Sequence, residues 1–450
     1  MALPLEDQIF LIKKNIIEWQ EEDKGSNEEG CTMFRVPTNI REANKNLFEP
    51  CLVSIGPYYY GGAHLKAMEY HKCRFLKSFL QRNNKVSLEA YIEAVLDLEI
   101  DARRCYREKL GLNRNAFVQL LLLDCCFILE LFFKWLDDEC DVVVMESWGL
   151  TTILSDLLLM ENQVPFFIIE RLFKMVMGGG IVHTRDTFLS LFAHFLMDGE
   201  QSQVCLETWP EKVNHLLDLY HQFLIVPGFC QEEVGSAELR IDTVAQPLWK
   251  ERLTLLNPWA GQWGSKWLPP HIHGAAELYE AGIKFKKKRT PRTLFDVRFA
   301  KGVLEIPELQ LHSNKKIRLA NLVALERYKS YGDQIATSYV ALMDSLINTK
   351  EDVAFLQHAG VLQNKLSSHQ EAATFFNQLG DCMPFRAVNP KFGEIFHNIE
   401  LYYHSYWNHS FARLLHDYFP NPWAAFSMFF AFVFLVLTSL QTYFTIYPRH

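Results

Sequence analysis

The chain has 450 residues, 49% hydrophobic and 14% aromatic with 34 phenylalanines, which is too apolar for a disordered chain and ample for a sizeable core. Its formal net charge of −8 is mild for this size and argues against an overall nucleic-acid binder. The ten cysteines (Cys31, Cys51, Cys73, Cys105, Cys125, Cys126, Cys140, Cys205, Cys230 and Cys382) contain no C-x-x-C and no pair followed by histidines at zinc-like spacing. Buried free thiols in a reducing compartment are therefore expected, and the even count leaves disulfides open.

In chain order, residues 1–33 read as an N-terminal segment and linker. "MALPLEDQIFLIKKNIIEWQEEDK" sets acidic residues before a short apolar run without a cleavage-type ending, a poor signal peptide. Residues 34–420 read as a single, mostly helical globular domain. It opens with "FRVPTNIREANKNLFEPCLVSIGPYYYGGAH", where prolines and the Gly-Pro and Gly-Gly pairs predict extended chain bounded by loops. Helical spacing follows in "HLKAMEYHKCRFLKSFLQ". "AFVQLLLLDCCFILELFFKWL" is apolar nearly all round and predicts a central core helix. "SWGLTTILSDLLLMENQVPFFIIERLFKMVMGGG" predicts another buried helix ending at the triple glycine. Residues 231–270 are rich in Trp, Pro and Gly and read as irregular loop.

Strand-like alternation then places Phe295, Val297 and Phe299 on one arm and Leu304 and Ile306 on the other, with "AKG" as the turn of a small β-hairpin. Beyond it, Ile335, Tyr339, Leu342 and Leu346 share a helix face. Thr349 with Asp352 and Ser368 with Glu371 resemble capping boxes. From Tyr418 to Pro448 no charged residue occurs, and residues 424–447 are long enough for one transmembrane helix, with Trp423, Tyr443 and Tyr447 as interfacial aromatics. Residues 448–450 form a short tail.

Searches for P-loop, dinucleotide, nucleophile-elbow and zincin signatures find none, so no catalytic, cofactor-binding or metal residue is expected. His271 and His273 lack a third ligand and read as surface residues. Asp137 to Asp141 lack EF-hand spacing and read as a solvated loop. Lys284, Lys286, Lys287, Lys288 and Arg289 form the strongest local charge signal. They would suit acidic lipids, a phosphorylated partner or a nuclear address; a solvent-facing turn before the hairpin is the plainer reading.

Glu161, Asn162 and Gln163 pose the sharpest question. Consecutive helical side chains point roughly 100° apart and cannot converge on one substrate atom. Pro165 would clash with the carbonyl of residue 161, and the kink would free backbone groups for the Asn and Gln amides. A buried Glu161 would need Arg171, Lys174 or a backbone donor. The expected role of Glu161, Asn162, Gln163 and Pro165 is structural; a carboxylate-based catalytic site is the alternative.

"DLLLMENQVPFF", "FRVPTNIREANKNLFEPCLVSIGPYYYGG", "FVQLLLLDCCFILELFF", "AAELYEAGIKFK", "FAKGVLEIPEL" and "YFPNPWAAFSMFFAFVFLVLTSLQT" together resemble the plant family that carries domain of unknown function 247. The likeness runs from about Phe34 to the C-terminus with the motifs in the family's order. "LVALERY" departs from its N-x-x-A-F-E-Q form at Leu325 and Arg327. The resemblance implies a single mostly helical domain, a C-terminal membrane helix and no assigned enzymatic activity. It also implies, for some grass members, a recognition role in self-incompatibility.

The expectation is thus a membrane-anchored interaction or recognition protein at the plasma membrane or an endomembrane. It would have a protein partner, no nucleic acid and no catalysis of its own. The missing signal peptide favours a cytosolic body. The sequon at Asn408 would carry glycan if the body were lumenal.

Overall fold

A computed structural model describes residues 30–137, 149–178, 185–197, 210–225, 272–329, 334–382, 388–404 and 422–446. They are mostly helical, with two small sheets. The chain divides into two compact units, Met1–Thr254 with His312–Thr337, and Leu255–Leu311 with Ser338–His450. The stretch 34–420, read from sequence as one domain, is shared between them.

The first unit is built around the helix Arg114–Leu136, capped at its start by the Asn113 side chain, which accepts the Ala116 N–H at 2.9 Å. Having no polar face, it is buried on all sides. It packs against the helices Lys66–Arg82, Leu88–Arg104, Phe166–Met177 and Arg185–Met197. Among the described residues it alone is long and apolar enough to cross a membrane, but 83% of its apolar window lies inside the protein. Phe132, Phe173, Phe188 and Phe192 form an aromatic layer at its end, with the Phe173 and Phe188 centroids 3.9 Å apart. Cys125 and Cys126 are buried free thiols on this helix, and burial pushes both thiol pKa values up. Against expectation, the free thiols Cys51 and Cys73 are exposed and Cys31 and Cys105 half-buried.

Two expectations change. The segment read as extended chain first forms two short helices, Thr38–Ala43 and Lys45–Phe48, before extending from Glu49. The single buried helix expected around Glu161 is two helices, Gly149–Leu157 and Phe166–Met177, separated by residues 158–165. Pro165 therefore stands at the N-cap of the second helix instead of kinking one long helix, a place where its missing N–H costs nothing. The second helix ends at Gly178, whose φ of 68° gives the left-handed C-terminal turn.

In the second unit the hairpin forms. Strand β2 (Arg298–Ala300) pairs antiparallel with β3 (Val303–Ile306), joined by Lys301 and Gly302, both at positive φ as a two-residue turn of this hand requires. Strand β1 (Lys284–Lys287) lies parallel to β3 at the sheet edge, so the basic run is a strand where the sequence suggests a turn. Strands β4 (Leu309–Leu311) and β5 (Leu362–Asn364) make a separate parallel pair. Thr349 and Asp352 form a full capping box. Ser368 accepts the Glu371 N–H at 3.1 Å, and the Glu371 carboxylate accepts the Ser367 N–H at 3.2 Å. The last helix is Pro422–Ile446. The apolar stretch described within it, Phe429–Tyr443, is shorter than a full membrane span.

Candidate functional site

The polar constellation of the first unit begins with an extended strap, Cys51–Gly56, that has no neighbouring strand. Its backbone donors go to side chains. Asp156 accepts the N–H groups of Cys51, Leu52 and Val53 at 2.9, 2.7 and 2.9 Å. Asn162 accepts the Ile55 N–H at 2.7 Å and donates to the carbonyls of Val53 and Asp156. Asp124 accepts the Gly56 N–H at 2.7 Å and pairs with Lys72 at 2.6 Å. Lys72, only 1% exposed, also binds the Ser54 carbonyl and Glu69. An unpaired buried amide is costly, so these side chains replace a missing β-ladder.

Gly56 is fixed by space as well as by its φ of 74°. A Cβ there would meet the Gln163 carbonyl oxygen at 2.2 Å. The same carbonyl accepts the Tyr106 hydroxyl at 3.0 Å. The Gln163 side chain donates to the Leu157 and Leu159 carbonyls, closing the end of Gly149–Leu157, and accepts the Leu217 N–H.

Glu161 faces residues on both sides of the strap in sequence. It accepts the Val36 N–H at 2.9 Å, the Arg41 guanidinium at 3.1 Å and the Tyr59 hydroxyl at 3.2 Å. Its cation is thus Arg41, far away in sequence, and not Arg171 or Lys174, both of which are exposed. Burial nevertheless raises the Glu161 pKa, against the Val36 N–H, Arg41 and Arg35, whose guanidinium lies 3.9 Å away. Burial likewise pushes Asp124 and Asp156 up to about 6, against Lys72 for the former and the strap amides for the latter.

A second polar cluster carries no signal in the sequence, because its members come from segments more than 100 residues apart. Lys329 bridges Asp218 at 2.6 Å and His221 at 3.1 Å, and His221 meets Glu326 at 2.9 Å. Glu326 also accepts the N–H groups of Ala336 and Thr337. His215 caps Leu216–Leu224, and burial lowers its pKa to about 4. Burial opposes the Asp218 carboxylate, but His215 and Lys329 outweigh it and lower its pKa to about 2. On the helix Ser313–Tyr328, Asn321 joins the first cluster, accepting the Met160 N–H at 2.8 Å and donating to the Leu47 carbonyl at 2.8 Å.

An open cleft of about 340 Å³ lies apart from Glu161, Asn162 and Gln163. Its charges are largely paired within its own lining: Arg185 holds Glu170 at 2.8 Å and Arg104 holds Asp101 at 3.3 Å.

The remaining sequence candidates stay scattered. His273 stacks on Tyr403 and pairs with Glu277, and among the described residues no group of three metal-ligating side chains converges. Asp137 binds Arg82, while His271, residues 138–141, residues 231–270 and Asn408 lie outside the described residues. In the basic run, Lys287 pairs with Glu308 and Lys288 with Asp296, each at 2.7 Å.

A helical protein whose N-terminal strap is sewn to its core by carboxylates and amides from an internal "MENQVP" break is the class these observations define. The chain belongs to the DUF247 family, described as a plant protein of unknown function, which matches residues 33–437. It is similar to the UPF0481 protein At3g47200 of Arabidopsis thaliana, 29% identical over 93% of this chain and 87% of that protein. A second relative, the putative UPF0481 protein At3g02645 of Arabidopsis thaliana, is 24% identical over 92% of this chain and 89% of its own length. No solved structure matches.

Proposed function

We propose that this protein is a membrane-anchored interaction module, tethered by its C-terminal helix and without catalysis of its own. The observation that carries the reading is Pro422–Ile446, whose described side chains stand outward. Phe430, Phe432, Phe434 and Leu435 are 64–72% exposed on a helix without a single charged residue. A helix apolar all round is stable only where water is excluded, and a bilayer satisfies every side at once. The carboxylates and amides near Glu161 have a structural task in this reading, because their polar atoms already bind backbone groups of the same chain. Recognition, including the reproductive self-incompatibility implied by the family resemblance, is the finer form of the proposal.

Fractionation of the full-length protein tests the anchor. Wild type is expected in the carbonate-resistant membrane pellet, and the double substitution Phe432→Asp, Leu435→Arg in the supernatant, since charges at mid-helix oppose insertion. Wild-type protein extracted by carbonate would overturn the reading.

A further inference from the structure

The outer face of the β1–β3–β2 sheet and its turn gather four cations around one acid. Register places Lys286, Glu305 and Arg298 in one row and Lys284, Val303 and Ala300 in the next, with Phe285, Leu304 and Phe299 turned inward. Lys284, Lys286, Arg298 and the turn residue Lys301 are exposed, and none has an ion-pair partner among the described residues; Glu305 is the one acid between them. Neighbouring strands lie about 4.8 Å apart and alternate residues about 7 Å apart, so these charges share one patch. That patch is positive on a chain whose net charge is −8.

The end of the helix that precedes the C-terminal one in the described residues packs on this sheet. Tyr402, next to the end of the helix Pro390–Tyr403, packs its ring on Phe299, and a Cβ at Gly302 would strike it at 2.5 Å. In sequence, residues 405–421 separate this helix from Pro422, at most about 60 Å of chain. The basic face and the end of this helix thus belong to the same small sheet, the helix end on its Phe299 side.

Resting on the anchor reading above, we propose that this face docks on the surface of the bilayer that holds the anchor, through anionic lipid headgroups. The cations sit on the sheet against which the last described helix before the anchor ends, so the bilayer that holds the anchor is the charged surface within their reach. Juxtamembrane lysines and arginines are drawn to such a surface over roughly a Debye length.

Full-length protein reconstituted into nanodiscs of phosphatidylcholine, with or without phosphatidylserine, tests this. Acylation of Lys284, Lys286 and Lys301 is followed by mass spectrometry. Labelling is expected to slow by roughly 5-fold in the phosphatidylserine discs, and to recover in high salt. The variant K284E/K286E/R298E should unfold at the wild-type temperature, incorporate normally, and label Lys301 at one rate in both discs. Equal labelling of the wild type in both discs, with incorporation intact, would overturn the docking and leave the anchor standing. Slowing by added polyglutamate, but not by phosphatidylserine, would also overturn it and assign the face to an acidic peptide. Protein recovered free of both discs would contradict the anchor reading itself.

Discussion

Two buried polar clusters stabilise the first unit by different means. Around the strap, Asp124, Asp156, Asn162 and Glu161 mostly meet backbone N–H groups, so they fix the path of a segment that forms no sheet. Around Lys329, the contacts run mainly between side chains, from Asp218 through Lys329 and His221 to Glu326, and they join helices already formed. Losing a member of the first cluster strands main-chain donors that nothing else can satisfy. Losing Lys329, the part-exposed member of the second, leaves charges that can rearrange or be reached by water. Buried charge here acts on chain path in one place and on helix docking in another.

The largest expected effect is steric. Gly56→Ala should cost about 3 kcal/mol or more, because it combines a positive φ with collision against the Gln163 carbonyl. Urea unfolding of full-length protein in detergent measures it. Asp124→Ala follows at roughly 3–5 kcal/mol, by leaving Lys72 buried beside Glu69 alone. If Asp124→Ala cost less than Lys329→Met, expected at roughly 1–3 kcal/mol, the proposed ranking of the clusters would be reversed.

Acid should separate the clusters by sign. His215 has a folded pKa near 4, below its ordinary 6.5, so its contribution is full above 6.5 and is lost as pH falls toward 4. Asp218, near 2 instead of 3.8, adds a further loss below pH 4. Asp124 and Asp156, near 6 instead of 3.8, act oppositely: their contribution is full below 3.8 and is lost as pH rises through 6. His215→Gln should therefore make the protein gain relative to wild type when pH drops from 7 to 4.5, as read by thermal unfolding. An unchanged pH slope would remove His215 from the account. At the small end, Arg171→Ala and Lys174→Ala should change stability by less than about 0.5 kcal/mol, since both are exposed and neither touches Glu161.

Much of the local structure was legible because its causes are local. Period-2 alternation around Lys301-Gly302 marked the hairpin, Thr349 with Asp352 marked a cap, and the unbroken apolar surface of Arg114–Leu136 marked the core. Strand β1 was not legible. "KFKK" has one apolar residue, and its order comes from parallel pairing to residues 19 positions on. The break between Leu157 and Phe166 was half legible. Pro165 announced an interruption, and within the break the Asn162 and Gln163 amides bind the Asp156 and Leu157 carbonyls at the end of the first helix. The polar partners were hidden for a plainer reason: Val36, Arg41 and Cys51 meet their carboxylates across more than 100 residues. The departures at Leu325 and Arg327 leave untouched the two polar residues of that motif that make these contacts, Asn321 and Glu326.

Native-state hydrogen exchange on Asp156→Ala tests most directly whether side chains hold the strap. The amides of Cys51, Leu52 and Val53 are expected to exchange about 10-fold faster or more than in wild type, while those of Arg114–Leu136 keep their order of protection. Unchanged exchange at those three amides, with Asp156 gone, would contradict the account.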